Sequence, residues 1–265
     1  MALSLTACGG SKGDVKTAKE PISASEAFNQ EGIWFYMGND GKVGKDENIS
    51  SILVFDGKGN VTDYDCSTLT FSDLKELSND EIISLAKKLD KDVFESDISN
   101  LKSSIDKEIT NVSETKGAIV NEMNEVKELE PDKSSEIEEF YSEDIDLLQV
   151  DLNNLDNFLA EVSNLKYKEP DAVPYTIHIE TDTSGNNTKE ETLSFEKKYR
   201  ATYYSDNMTQ IENSSTAEIQ LFPDYGIQTV YDMNFRGFAT IVTLVSEDHA
   251  GFILDTPDAK GIEVD

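Results

Sequence analysis

Ile137, Tyr141, Ile145, Leu148, Leu152, Leu155, Leu159 and Val162 are separated by steps of 4, 4, 3, 4, 3, 4 and 3 residues. A strand cannot keep these residues together, because its side chains alternate between faces with period two. A helix places all eight on one stripe in a heptad-like seam. Upstream, Phe94, Ile98, Leu101, Ile105, Ile109 and Val112 recur at threes and fours. Ile119, Met123, Val126 and Leu129 continue that stripe past Gly117. Glu130-Pro131-Asp132 breaks it, since a residue before proline is pushed out of the helical region. Ser78 followed by Glu81 forms a capping-box pattern at the start. Two long stripes joined by a short proline-containing turn predict an antiparallel, coiled-coil-like helical hairpin.

The flanking sequence has the other period. GIWFYMG (32–38), ISSILVF (49–55) and NVTDYDC (60–66) read as strands, the last two joined by Asp56-Gly57-Lys58-Gly59. After the helices, YTIHIE alternates Tyr175, Ile177 and Ile179 against Thr176, His178 and Glu180. ETLSFE, RATYY, AEIQLF, IQTVYDM, FATIVTLVS and GFILDT follow, with turn residues between them. The expected fold class is α+β: an antiparallel β barrel or meander sheet with a long inserted antiparallel helical hairpin. The expected division is 1–30 as a leader and flexible tether, 31–71 as the first part of the β domain, 72–166 as the inserted hairpin, and 167–265 as the second part of the β domain.

Charge limits the partners. The chain carries 53 acidic against 23 basic residues, a net of −30. Such a surface repels nucleic acid and gains nothing from anionic headgroups. Only Arg200 and Arg236 offer a guanidinium, so bidentate phosphate recognition has few candidates. Residues 72–165 alone hold 25 acids and 9 lysines, and 134–165 hold no lysine or arginine. That is either a solvated coiled-coil face or a surface for a basic partner. No apolar run approaches the ~18 residues needed to span a bilayer.

Cys8 stands in LSLTACGG (3–10), followed by a leader rich in glycine, serine and lysine. Leu5-Thr6-Ala7-Cys8 resembles the lipobox of bacterial lipoproteins, in which small residues flank the cut and the cysteine thiol takes a diacylglyceryl group. The resemblance implies that Cys8 becomes an acylated N-terminus, and two or three acyl chains anchor stably. Only seven residues, none of them basic, precede Cys8, where a full signal peptide carries a basic segment and a longer apolar one. A Cys8–Cys66 disulfide is not expected, which leaves Cys66 as an unpaired thiol.

Two further resemblances bear on the fold. Gly32-Ile33-Trp34 resembles the Gly-x-Trp start of the lipocalin and calycin group. There the tryptophan plugs one end of the barrel and a late arginine packs across it, a role that would fall to Arg236 in NFRGF. That makes Trp34 and Arg236 the candidate ligand-binding residues. The chain also resembles uncharacterised surface lipoproteins of Gram-positive Firmicutes through Gly32 to Phe35, Asp80 to Lys87 and Gly185 to Thr188. That likeness implies no activity.

No catalytic constellation is legible. His178 and His249 read as surface histidines, and Cys66 as a half-buried small residue at a strand end. His-Glu-x-x-His, Cys-x-x-Cys, Gly-x-Ser-x-Gly and phosphate-binding glycine loops do not occur. Residues 39–48 and 182–187 are oxygen-rich but lack the EF-hand spacing, so they read as turns rather than calcium loops. No catalytic residue, metal ligand or cofactor is therefore predicted. The leading expectation is an extracytoplasmic protein, lipid-anchored to a bacterial cell membrane through Cys8, that binds a small ligand or an envelope protein without catalysing a reaction. The alternatives are a carrier of a small apolar ligand inside a lipocalin-like barrel and a hydrolase of envelope polymer that uses acidic residues.

Overall fold

The computed structural model describes residues 14–38, 42–199, 213–223 and 226–265. Cys8, Arg200, the RATYY segment, part of the 39–48 loop and part of the 223–226 turn lie outside them. The described chain mixes helix and sheet. It runs β1 (Ile22–Ser23), α1 (Ala24–Phe28), β2 (Glu31–Tyr36), β3 (Asn48–Asp56), β4 (Asn60–Thr70), α2 (Asn79–Leu129) and α3 (Ser134–Asn164). It continues through β5 (Val173–Thr181), β6 (Thr188–Tyr199), β7 (Asn213–Leu221), β8 (Gln228–Val230), β9 (Met233–Phe238), β10 (Ile241–Val245), β11 (Phe252–Ile253) and β12 (Glu263–Val264). Two compact units result, and the division between them falls inside α2, between Val93 and Phe94.

The first unit is built on one large sheet in the order β7-β6-β5-β4-β3-β2-β10-β9-β8. The ladders along it from β5–β6 to β8–β9 are antiparallel. No pairing closes this path into a barrel among the described residues. Strand alternation sorts side chains onto two faces. Trp34, Leu53, Phe55, Val61 and Ile241 share one core with Ile177, Leu193, Phe195, Ile219 and Leu221. Ile33, Phe35, Ile52, Tyr64, Cys66, Phe235 and Val242 share the other, which is covered by Phe71, Leu74, Ile82 and Ala86. The start of α2 is fixed as its sequence suggests: Ser78 N and Oγ donate to Glu81 Oε2 at 2.8 and 2.7 Å.

Three local readings are corrected. IQTVYDM is not one strand. Tyr231 and Asp232 adopt φ of 49° and 66°, which turns the chain between β8 and β9 as a two-residue hairpin. FATIVTLVS likewise bends after Phe238, so that β9 and β10 pair with Ile241 opposite Phe238. Residues 14–30 are not a tether. Val15, Ala18, Ile22, Ala24, Ala27 and Phe28 are all buried. They are apolar residues scattered among polar ones, and their partners come from the far end of the chain. Ser246 N donates to Lys16 O, Ala250 N to Ala18 O and Ile22 N to Gly251 O. β1 then pairs in parallel with β11.

The second unit is the helical hairpin. A short turn at Pro131–Lys133 separates α2 from α3. Phe94, Ile98, Leu101 and Ile105 of α2 pack with Leu155, Phe158 and Val162 of α3. Further along, Tyr141 Oη donates to Glu122 Oε1 at 3.1 Å, and Lys127 pairs with Glu138. These contacts fix the antiparallel register.

Candidate functional site

Trp34 is fully buried. Its ring lies 4.8 Å from Phe28, 6.3 Å from Phe238 and 5.2 Å from Phe252. Phe28 comes from α1 and stacks on Phe55 at 4.8 Å, so the short helix plugs this side of the sheet with one aromatic side chain. Gly32 lies beside the indole, and a Cβ there would rest in ordinary contact with Trp34 Nε1 at 3.4 Å. Thr243 stands between Trp34 and Arg236 in register, so all three share a face. The Arg236 guanidinium donates to the carbonyl of His249. The surroundings of Trp34 are thus filled by protein rings. Trp34 Nε1 itself is buried without a hydrogen-bond partner.

The same interior holds charge-bearing groups. Glu191 is in step with Leu193 and Phe195 along β6 and is fully buried. Its Oε2 accepts Asp255 N at 2.8 Å, while Oε1 is buried without a partner. Burial, together with the Asp255 carboxyl beside it, pushes Glu191 up to about 8. Asp255 accepts Ser25 N and Ser25 Oγ, both at 2.6 Å, and so holds the first turn of α1. A second cluster is ionic. Lys197 Nζ lies 2.9 Å from Asp63 Oδ2 and 2.6 Å from Asp65 Oδ1. Burial raises the Asp63 pKa despite the lysine. A hydrolase needs carboxyls that face a substrate cleft. Glu191 and Asp255, both buried, instead act on the fold.

The histidine and cysteine readings are resolved by burial. His178 is half-buried on β5, whereas His249, expected at the surface, is 3% exposed. His249 Nδ1 accepts Gly251 N at 3.0 Å, and Nε2 lies 3.0 Å from Val15 O. The imidazole therefore ties the two ends of the chain together. A turn-like SEDHAG sequence carries no hint of this, because its partner is 234 residues away. The alternation of ETLSFE, by contrast, already places Glu191 in step with two core residues. Cys66 is fully buried and its thiol is pushed up to about 12, chiefly by burial. Such a thiol has negligible thiolate at neutral pH and is inert.

The exposed candidate lies on the hairpin. Phe140, Leu147 and Val150 of α3 are 77, 58 and 53% exposed. Successive helical residues are about 100° apart, so Phe140 and Leu147 are nearly aligned, with Val150 on the adjoining strip. Glu136, Glu143, Asp144, Asp146 and Asp151 are exposed on the same helix. The buried residues of the same helix are Ile137, Leu155, Phe158 and Val162. The sequence makes the acidity here plain but not these three apolar residues, which fall outside the heptad steps.

No helix among the described residues is long and apolar enough to cross a membrane. Among the described residues no cluster of three His, Cys, Asp or Glu side chains is placed to hold a metal ion. No family model, curated protein or solved structure matches the chain.

Proposed function

We propose that the protein is a non-catalytic binding module, anchored by a lipidated Cys8 to the outer face of a bacterial cell membrane. The observation that carries the binding role is the exposed apolar stripe on α3, set among carboxylates. Three large apolar side chains on two adjoining strips of an exposed helix gain nothing in isolation and are stabilised when a partner covers them. The packed interior argues in the same direction: aromatic rings fill the space around Trp34, and the carboxyl pair is out of reach of a polymer. This favours an interaction protein over a carrier or a hydrolase.

The anchor rests on the Leu5-Thr6-Ala7-Cys8 pattern and the glycines after it. The first buried residue is Val15. Seven residues at ~3.5 Å each allow at most about 25 Å between acylated cysteine and folded body. The module therefore works close to the bilayer. We read its curled sheet as barrel-like. Thr240 Oγ1 donates to Gln220 O at 3.4 Å, linking the turn after β9 to β7, and one core draws on both ends of the sheet.

The test is metabolic labelling with an alkyne fatty acid, followed by membrane fractionation of a bacterial host. The wild-type chain should carry label and sediment with membranes, and Cys8→Ser should lose both. Equal labelling and sedimentation of the two chains would sink the anchored reading.

A further inference from the structure

We infer that the exposed stripe of α3 docks a basic amphipathic helix of a protein partner, a proposal that rests on the binding-module reading above. Phe140 and Val150 are ten residues apart, about 15 Å along the helix axis. That is nearly three turns, a length that the apolar face of one short helix covers with residues spaced at i, i+3 or i+4 and i+7. The apolar residues choose the geometry, and the charges choose the occupant. Glu136, Glu143, Asp144, Asp146 and Asp151 are exposed around them, and residues 134–165 contain no lysine or arginine. A partner helix must bring cations on the flanks of its apolar face to meet these carboxylates.

Two other occupants fit less well. A second copy of this chain would set one acidic face against another, with like charges facing across the seam. An anionic bilayer would be repelled by the same carboxylates. The observations therefore favour a cationic polypeptide helix.

The test uses the whole soluble chain, with Cys8→Ser to keep it free of lipid, and a designed 18-residue helix of leucine and lysine as the probe. Binding is read by fluorescence anisotropy across a salt series. Three controls accompany it: a scrambled peptide of equal composition, a leucine–glutamate peptide of the same pattern, and zwitterionic and anionic vesicles. The patterned basic peptide should bind best, and its affinity should fall as salt rises. The triple change Phe140→Ala, Leu147→Ala and Val150→Ala should weaken it by at least about tenfold, because truncating the anchors of an interface removes most of its affinity. All three side chains are exposed, so the melting curve of the triple variant should match the parent. Hydrogen exchange should show new protection over residues 136–151.

The scrambled peptide binding as tightly, or the triple variant keeping full affinity, would overturn the proposal and reduce the stripe to a solvated acidic face. Vesicle binding that vanishes in the triple variant would overturn it in favour of a lipid surface. The experiment does not involve the anchor. Failure here leaves the Cys8 result standing, and loss of Cys8-dependent sedimentation leaves the peptide result standing.

Discussion

Glu191 is an acid kept protonated by its surroundings, and replacing it with glutamine should change how stability depends on pH. Its ordinary value is 4.5, and burial with Asp255 alongside raises it to about 8 in the folded chain. The folded value lies above the unfolded one. The stability contributed by the protonated group is therefore fully present below pH 4.5 and is lost as pH rises towards 8. A tenfold change in proton affinity is worth about 1.4 kcal/mol, so full titration costs on the order of 5 kcal/mol. Between pH 5.5 and 8.5 the loss from this one group comes to roughly 3 kcal/mol. Glutamine has the shape of the protonated acid. Its carbonyl can still accept Asp255 N, and it does not titrate. Trp34 is the single tryptophan and is fully buried, so its fluorescence reports urea unfolding directly. The stability of Glu191→Gln relative to wild type should rise by about 3 kcal/mol from pH 5.5 to 8.5. A difference that stays constant across that range would refute a protonated Glu191.

Other expectations follow from packing and burial. A Cβ at Gly237 would come within 2.3 Å of Ile241 O and 2.8 Å of Val242 Cα. Gly237→Ala must therefore push β9 away from β10, and denaturant titration should show a loss of roughly 3 kcal/mol or more. Phe28→Ala removes the ring between Trp34 and Phe55, and it should cost about 3–5 kcal/mol and shift the Trp34 emission to the red. Cys66 should resist a thiol reagent at pH 8 in the native chain and react at once in urea, in keeping with its burial. Rapid native reaction would mean that the β4 face opens readily. Deleting residues 14–21 should destabilise the β unit by several kcal/mol rather than leave it intact, because Val15 and Ala18 are buried and their carbonyls accept from His249 and Ala250. A truncated chain with an unchanged melting temperature would contradict that packing.

Much of the architecture is legible because local periodicity speaks for itself. The steps from Ile137 to Val162, the break at Pro131 and the capping pair Ser78–Glu81 each act within a few residues, and the helices start and stop where those signals stand. Hairpins held by two ordinary residues are harder. Tyr231-Asp232 advertises its turn only weakly, since aspartate tolerates positive φ but tyrosine does not. The leader reads as a tether because its apolar residues are single and irregularly spaced, and its burial comes from Phe252 and its neighbours near the other end. The buried acids fall in between. Asp63 shares its β4 face with Val61, and Glu191 its β6 face with Leu193, so alternation alone marks both as inward. Lys197 as the counter-ion for Asp63 comes from another strand, 134 residues away, which no local pattern encodes. Phe140, Leu147 and Val150 are masked by the dominant seam, because none of them falls on its steps from Ile137 to Val162.

The clasp between the two ends of the chain also dictates an order of events during synthesis. Ser25 waits for Asp255, a separation of 230 residues, and Val15 waits for His249. A ribosome delivers Asp255 and His249 long after Ser25 and Val15. Residues 14–30 thus remain without their core until those partners have emerged, while the hairpin, whose contacts are nearer in sequence, can assemble earlier. Closing so long a loop is slow, because its entropy is lost before any contact rewards it. Residues 14–30 therefore stay accessible until β11 and its neighbours arrive. Arrival of His249, Phe252 and Asp255 is itself the event that ends that exposure.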